Sequence, residues 1–401
     1  MFYCFFIMIR EIKYSSKAQS LTFKSDKFTL VLEGVNNMTT FLTPFTFNNG
    51  VTIRNRYLMA PMTTYSANAD DTVSDAEITY YRERSYGVGA VITACAYVIP
   101  NGKGFPGQIS AHSDKYIPSL KRIADAIHDG GAKAILQIYH GGRQAVRDLV
   151  PNGDVVSASE TIAADGGMAR ALTVEEIEEI VVAFGEATRR AIEAGFDGVE
   201  IHGANTYLLQ QFFSGLTNKR TDRYGGSVEK RMTFLLEIID SVHRAKVQSA
   251  DDRFIVGYRF SPEEPEEDGI TLDETVQLVD RLADEKLDYL HISLGDFRAE
   301  ARRYSGEKEN RIKILKRVID GRVPFIGVGS IYLPEDAKEA METGADLLAL
   351  GRELLIEPHW VEKVAVGEPV ITEMDMGRDN NIPEPLMNMM KRNVGWVPGV
   401  K

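Results

Sequence analysis

From position 45 onward the chain alternates short apolar runs with longer stretches of helical periodicity, and few folds accommodate that rhythm. The runs fall at 57–62, 90–98, 134–139, 198–202, 254–260, 289–293, 324–328 and 347–350. Between them lie stretches such as 173–194, 227–246 and 272–286, with apolar residues three and four positions apart. A run that stays apolar on both alternating faces belongs to a strand covered on both sides, and helices laid along a parallel sheet supply that cover. Several of the helical stretches open on Ser or Thr with an acid close behind, as in Thr173-Val174-Glu175-Glu176, a pattern that satisfies the free N–H groups of a helix start. Eight strand-then-helix units favour a sheet closed on itself over an open one, so the expected fold is α/β, a TIM (β/α)8 barrel. Ahead of the first barrel strand, Asn48-Asn49-Gly50 between Phe45-Thr46-Phe47 and Val51-Thr52-Ile53 predicts an N-terminal hairpin that caps one end.

Residues 38–401 are expected to form this barrel as a single domain, because no linker or low-complexity tract divides them. Met38 opens a stretch, Thr39-Thr40-Phe41-Leu42-Thr43-Pro44, that reads like a natural start. Residues 1–37 are expected to be an appendage, disordered or upstream of the true start, with an authentic N-terminal extension as the alternative. Residues 1–9 are apolar, yet no charged segment precedes them and no small-residue cleavage site follows, which argues against a signal peptide.

The chain carries 58 acidic and 46 basic side chains, a formal net charge of -12, and no basic stripe, so no nucleic-acid partner is expected. Two cysteines, Cys4 and Cys95, cannot build a disulfide framework, a four-thiolate zinc site or an iron–sulfur cluster. That usage fits a reducing, cytoplasmic setting. No apolar run approaches the roughly 18 residues of a membrane span, and no His-Glu-x-x-His or comparable spacing offers metal ligands. Neither a membrane partner nor a metal is expected.

In barrels of this kind chemistry gathers where the loops leave the C-terminal ends of the strands. The densest polar cluster follows the fourth strand, where His202, Asn205 and Tyr207 lie within six residues of one another. An imidazole and an amide can both donate to one carbonyl oxygen, and a phenol can deliver a proton nearby. Singly these residues read as strand and turn stabilisers; together at a strand end they read as a site. Beyond the seventh and eighth strands, Gly327-Val328-Gly329-Ser330 and Leu350-Gly351-Arg352 offer unhindered N–H groups and a guanidinium, the set a phosphate monoester needs.

The stretch His202-Gly203-Ala204-Asn205-Thr206-Tyr207-Leu208-Leu209-Gln210-Gln211-Phe212, continued through Ser214-Gly215-Leu216-Thr217-Asn218-Lys219-Arg220-Thr221-Asp222-Arg223-Tyr224-Gly225-Gly226-Ser227 to Arg231, resembles the central signature of the old yellow enzyme family. Asn55-Arg56-Tyr57-Leu58-Met59-Ala60-Pro61-Met62-Thr63 and Gly351-Arg352-Glu353-Leu354-Leu355 match near the two ends, so the resemblance runs from about Met38 onward. It implies an ene-reductase with non-covalent FMN, NADH or NADPH as a transient electron donor, and an α,β-unsaturated carbonyl or nitro compound as the small-molecule partner. By the same resemblance His202 and Asn205 bind the substrate carbonyl and Tyr207 supplies a proton. Pro61, Met62 and Thr63 lie against the flavin ring, Ala94 and Gln137 contact it, and Arg259 stands beside its N1 and O2. Gly329, Ser330, Gly351 and Arg352 hold the phosphate. One branch of the family has Cys where Thr63 stands, which places this chain nearer the other. In parts of the family a neighbouring subunit lends an Arg, so a homo-oligomer is possible; Arg392 is the candidate, in surroundings that match poorly.

Gly102-Lys103-Gly104-Phe105-Pro106-Gly107 matches the glycine pattern of dinucleotide sites, but it contains a proline and opens no helix, so it reads as a loop over the active site. His140-Gly141-Gly142-Arg143 ends the third strand and borders the same region. The alternatives are a flavin-free phosphate-binding barrel, a lyase or isomerase, and a flavin-binding barrel with a storage or regulatory role. The first lacks a prominent Schiff-base lysine or catalytic carboxylate at the strand ends, and intact His202, Asn205 and Tyr207 oppose the second.

Overall fold

The computed structural model describes residues 41–249 and 252–401; the appendage expected at 1–37 lies outside them. Eight strands, β1 (Tyr57–Met59), β2 (Ala90–Ile92), β3 (Lys133–Tyr139), β4 (Gly198–Gly203), β5 (Ile255–Phe260), β6 (Tyr289–Ile292), β7 (Phe325–Val328) and β8 (Leu347–Leu350), pair in parallel in sequence order, and β8 returns to β1 to close the barrel. Around them run α1 (Asp75–Arg84), α2 (Ile117–Asp129), α3 (Val174–Glu193), α4 (Val228–Gln248), α5 (Leu272–Ala283), α6 (Arg311–Ile319) and α7 (Pro334–Glu342). α3 shows why these segments are helices. Thr173 and Glu176 form a reciprocal capping box, and Ile177, Ile180, Val181, Phe184, Ala187 and Ala191 make one buried stripe. Capping boxes also open α1, with Ser74 and Glu77, and α5, with Thr271 and Glu274.

The register decides what shares the barrel interior. Glu200 on β4 lies opposite Gln137 on β3 and Gly257 on β5, and Gly257 lies opposite Tyr289 on β6. Any Cβ at 257 would collide with the Tyr289 ring, so glycine there makes room for it. Two residues further along, on the same face, His202, Arg259 and His291 form the next row. Fully buried Glu200 ties the rows together by accepting from Gln137 Nε2 at 2.7 Å, Tyr289 OH at 3.1 Å and His291 Nδ1 at 2.8 Å.

The expected hairpin is present, Phe45–Thr46 antiparallel to Thr52–Ile53. Phe47 is buried with its ring 6.1 Å from that of Tyr289, and Asn49 donates to the carbonyls of Arg253 and Phe254 just before β5. The hairpin therefore closes the end of the barrel where the strands begin.

Two expectations need correction, and one small sheet is unexpected. The run at 57–62 stops pairing after Ala60, whose N–H donates to Leu350 O, because Pro61 has no N–H to continue the ladder. The run at 90–98 is two pieces, β2 and Ala96–Tyr97, since the Ala94 N–H turns from the ladder to Tyr81 OH at 2.8 Å and Gln108 takes the Cys95 carbonyl. Between β3 and α3 the chain also makes a small sheet, Val156–Ser157, Thr161–Ile162 and Met168–Ala171, too short to announce itself by periodicity. Among the described residues no helix is long and apolar enough to cross a membrane.

Candidate active site

β4 ends in His202 and Gly203, and a loop of four residues leads to the short helix Leu208–Phe213. Within that loop Asn205 (φ +58°) and Thr206 (φ +64°) both adopt left-handed backbone that side-chain-bearing residues avoid. Neighbours hold them there. The Thr206 N–H donates to Gln210 Oε1 at 2.9 Å, its carbonyl accepts from Gln211 Nε2 at 2.7 Å, and its hydroxyl accepts from Gln144 at 2.8 Å. The Asn205 N–H donates to Ser261 Oγ at 2.9 Å, and its Oδ1 accepts from Ser293 Oγ at 2.8 Å. With Oδ1 engaged, the Asn205 amide is left with its NH2 to offer a ligand.

His202 is 3% exposed, and burial, reinforced by the nearby charge of Arg259, pushes its imidazole down to about 3. It is therefore neutral at physiological pH. Its Nδ1 accepts the Ala204 N–H at 3.3 Å, which assigns the ring proton to Nε2. The half-buried Tyr207 ring lies edge-on to it, centroids 5.0 Å apart, and edge-on to Tyr139 at 4.6 Å. Burial first, then the Cys95 thiol and the Tyr65 phenol, raise the Tyr207 phenol, so it keeps its proton. The fold thus brings a neutral imidazole donor and a protonated phenol together, while Asn205 lines a cavity beside them.

That cavity, ≈ 370 Å³, runs between the ends of β1, β5, β7 and β8. Pro61, Met62, Arg259, Gly329, Ser330, Gly351 and Arg352 all line it. Arg259 is 7% exposed with its Nε lacking any hydrogen-bond partner, a buried cation awaiting an acceptor. At Gly329 (φ +118°) a Cβ would come within 2.8 Å of Asp296 N and Leu294 O, so only glycine lets the backbone pass. Arg352 reaches Ser330 Oγ at 2.8 Å and the carbonyls of Gly295 and Trp396 at 3.0 and 3.2 Å, which gathers a guanidinium and a hydroxyl at one end.

Thr63 stands on an adjoining cavity of ≈ 470 Å³, which shares Pro61, Met62 and Trp396 with the first. Ala94 and Gln137 line neither. Ala94 is bound to Tyr81 OH, and Gln137 is 2% exposed with its amide N–H on Glu200. Burial alone would raise the Glu200 carboxyl, but His291, Arg259 and its hydrogen bonds outweigh that and hold it below the ordinary carboxylate range.

Sequence reasoning missed Tyr65, Tyr332, Met389, Asn393 and Trp396, all of which line these cavities. Tyr65 (φ +55°) follows the first strand closely enough to have been found, whereas the C-terminal residues arrive on the helix Glu384–Arg392 and its tail, far off in sequence. Burial first, then the Cys95 thiol, raise the Tyr65 phenol, and Arg392 at the end of that helix lies near enough to offset part of that rise within the same chain. The loop at 102–107 borders the site through Phe105, 5.2 Å from Tyr65 and 6.5 Å from Tyr139. His140 is structural, fully buried with Nδ1 accepting from Gly142 N. Among the described residues no His, Cys, Asp and Glu gather as a metal site.

Residues 40–370 match the model of the NADH:flavin oxidoreductase / NADH oxidase family. The chain belongs to that family, the old yellow enzymes. Its relatives include a probable NADH-dependent flavin oxidoreductase, YqiG, of Bacillus subtilis (strain 168), 53% identical over 88% of this chain and 96% of that one. The NADH:fumarate oxidoreductase of Klebsiella pneumoniae (strain 342) is 43% identical over 86% of this chain, which spans only 38% of it. Among solved structures, morphinone reductase superposes with a TM-score of 0.71 at 26% identity, over 86% of this chain and 95% of that one. The protein is a flavin oxidoreductase that uses FMN with NAD(P)H as electron donor. The cavity fits such a group: a buried guanidinium at one end whose Nε has no partner among the described residues suits an electron-rich ring, and the cradle of Gly329, Ser330, Gly351 and Arg352 suits a phosphate.

Proposed function

We propose that the protein reduces the carbon–carbon double bond of alkenes conjugated to a carbonyl or nitro group. The observation that carries this reading is the uncharged His202, its proton on Nε2, in ring contact with a Tyr207 phenol that keeps its own proton. FMN, when bound, supplies hydride to the alkene carbon remote from the activating group. The chain does the rest. His202 Nε2–H and the Asn205 amide donate to the activating oxygen and stabilise the negative charge that grows on it; being neutral and prearranged, they need no reorganisation as it forms. Tyr207 delivers the proton to the carbon next to that group. Arg259 keeps a positive charge at the barrel end of the cavity, and Arg352 with Ser330 anchors the phosphate.

The relative acting on fumarate is named for an alkene flanked by carboxylates, which supports this substrate class. Since that enzyme is much longer, its barrel is one part of a larger whole, and a second reading has this chain pass electrons to another protein. The ring contact of His202 with Tyr207, and Asn205 on the loop between them, support reduction on this chain itself. The test is Tyr207→Phe, followed as two half-reactions under anaerobic conditions. Bleaching of the flavin by NADH should proceed as in the wild type, and reoxidation by a cyclic enone should slow roughly 10²- to 10⁴-fold. Equal loss in both halves, or none in the second, would overturn the assignment.

A further inference from the structure

The wall of the phosphate cavity contains a carboxyl that nothing among the described residues satisfies. Glu353 is the second residue of the short helix Arg352–Ile356 and lines the cavity with Gly329, Ser330 and Gly351. It is 1% exposed, and both of its carboxyl oxygens are buried without a hydrogen-bond partner. The other carboxyls buried nearby in the fold are provided for. Glu200 accepts three side-chain hydrogen bonds, and Glu357, one helical turn beyond Glu353, pairs with Lys363 and Arg378. The neighbouring Arg352 gives Glu353 no relief, since its guanidinium is directed to Ser330, Gly295 and Trp396.

A carboxylate buried without donors is among the costliest groups to bury, and it takes up a proton instead. The groups that face Glu353 reinforce this. Glu357 on its own turn and Asp336 in the first turn of α7 are both acidic, and the Tyr332 phenol is uncharged; burial first, then these two carboxylates, move the Glu353 carboxyl up to about 9. A phosphate in the same cavity is a further negative charge in the same poorly screened surroundings.

We propose that Glu353 enters the FMN complex as a neutral carboxylic acid and that its ionisation expels the cofactor, which makes this wall a proton-dependent latch on FMN. The inference rests on the phosphate lying in this cavity. Binding of FMN to the ionised form takes up one proton at Glu353, and release above the latch point returns it to solvent. The device also discriminates between ligands, because it acts on a phosphate and leaves an uncharged ribityl chain alone.

The test uses full-length, flavin-loaded protein, diluted at pH values from about 7 to about 10, with retention read from the fluorescence of released flavin. Wild type should hold FMN evenly to about pH 8.5 and then weaken by roughly tenfold per pH unit, the slope of one linked proton. Glu353→Gln and Glu353→Met, neutral at every pH, should lose that break, and riboflavin in place of FMN should show none. A break that persists in either variant, is shared by riboflavin, or is missing from wild type overturns the proposal. Protein that holds no FMN at any pH overturns the FMN reading of the cavity, and this inference with it.

Discussion

The two ends of the barrel are built on opposite terms. Where the strands begin, the hairpin presses Phe47 onto Tyr289, its exposed face carries a Thr46–Thr52 hydroxyl pair, and its turn uses Gly50 at φ +83°, where glycine is unstrained. Where the strands end, Tyr65, Asn205, Thr206 and Ser330 are forced into left-handed backbone, and Arg259 and Glu353 are buried with polar atoms unmatched. The mouth stores most of the unmet demands, while the end where the strands begin stores fewer, among the described residues Asp320 in left-handed backbone ahead of β7 and the unpaired Arg56 Nε ahead of β1. A stable plug below is what lets the upper loops hold strained backbone and unpaired donors ready for a ligand.

Four substitutions test that contrast, in falling order of effect. Phe47→Ala should destabilise the fold by about 3–5 kcal/mol by leaving a cavity, yet leave the visible spectrum of bound FMN unchanged; urea unfolding and absorbance report the two separately. A spectral change would show that the ends are coupled. Gly329→Ala should cost both stability and FMN binding, since its Cβ meets backbone at a positive φ: FMN retention should fall at least tenfold, and the melting temperature of the FMN-free protein should fall as well. Arg352→Ala should weaken FMN by about 1.5–3 kcal/mol through lost charge-assisted contacts, and unchanged occupancy after dilution would remove Arg352 from the phosphate site. Thr46→Ala should cost roughly 0.5 kcal/mol or less, because an exposed cross-strand pair contributes little.

Acid gives a further distinction. His202 and His140 are each pushed down to about 3 by burial, while an unfolded histidine titrates near 6.5. Between those values the unfolded chain binds more protons than the native one. Their contribution is thus complete above about pH 6.5 and is lost as pH falls toward 3, at up to about 1.4 kcal/mol per pH unit for each histidine. His140→Gln should flatten the acid limb of a stability–pH curve without touching flavin chemistry. A curve as steep as that of the wild type would count against a neutral, buried His140.

Much of this was legible in advance for a physical reason. Strands covered on both faces are mostly apolar, so all eight announced themselves despite the buried Gln137, Glu200, His202, Arg259 and His291, and the loop after the fourth strand is short enough to carry His202, Asn205 and Tyr207 together to the barrel mouth. What escaped were features set by single hydrogen bonds or by distant segments. The break at Ala94 depends on Tyr81, thirteen residues earlier on α1, and Trp396 joins the cavity from the far end of the chain.

Sequence alone determined the barrel, its capping hairpin and the residues able to donate a hydrogen bond, a proton or a phosphate contact, because periodicity and residue type are local properties. Only the tertiary structure decided which nitrogen of His202 carries the proton, that Gln137 faces Glu200, and that the Glu353 carboxyl has no hydrogen-bond partner among the described residues. Those outcomes depend on burial and on which neighbours come within hydrogen-bonding reach, and both exist only once strands distant in sequence lie side by side.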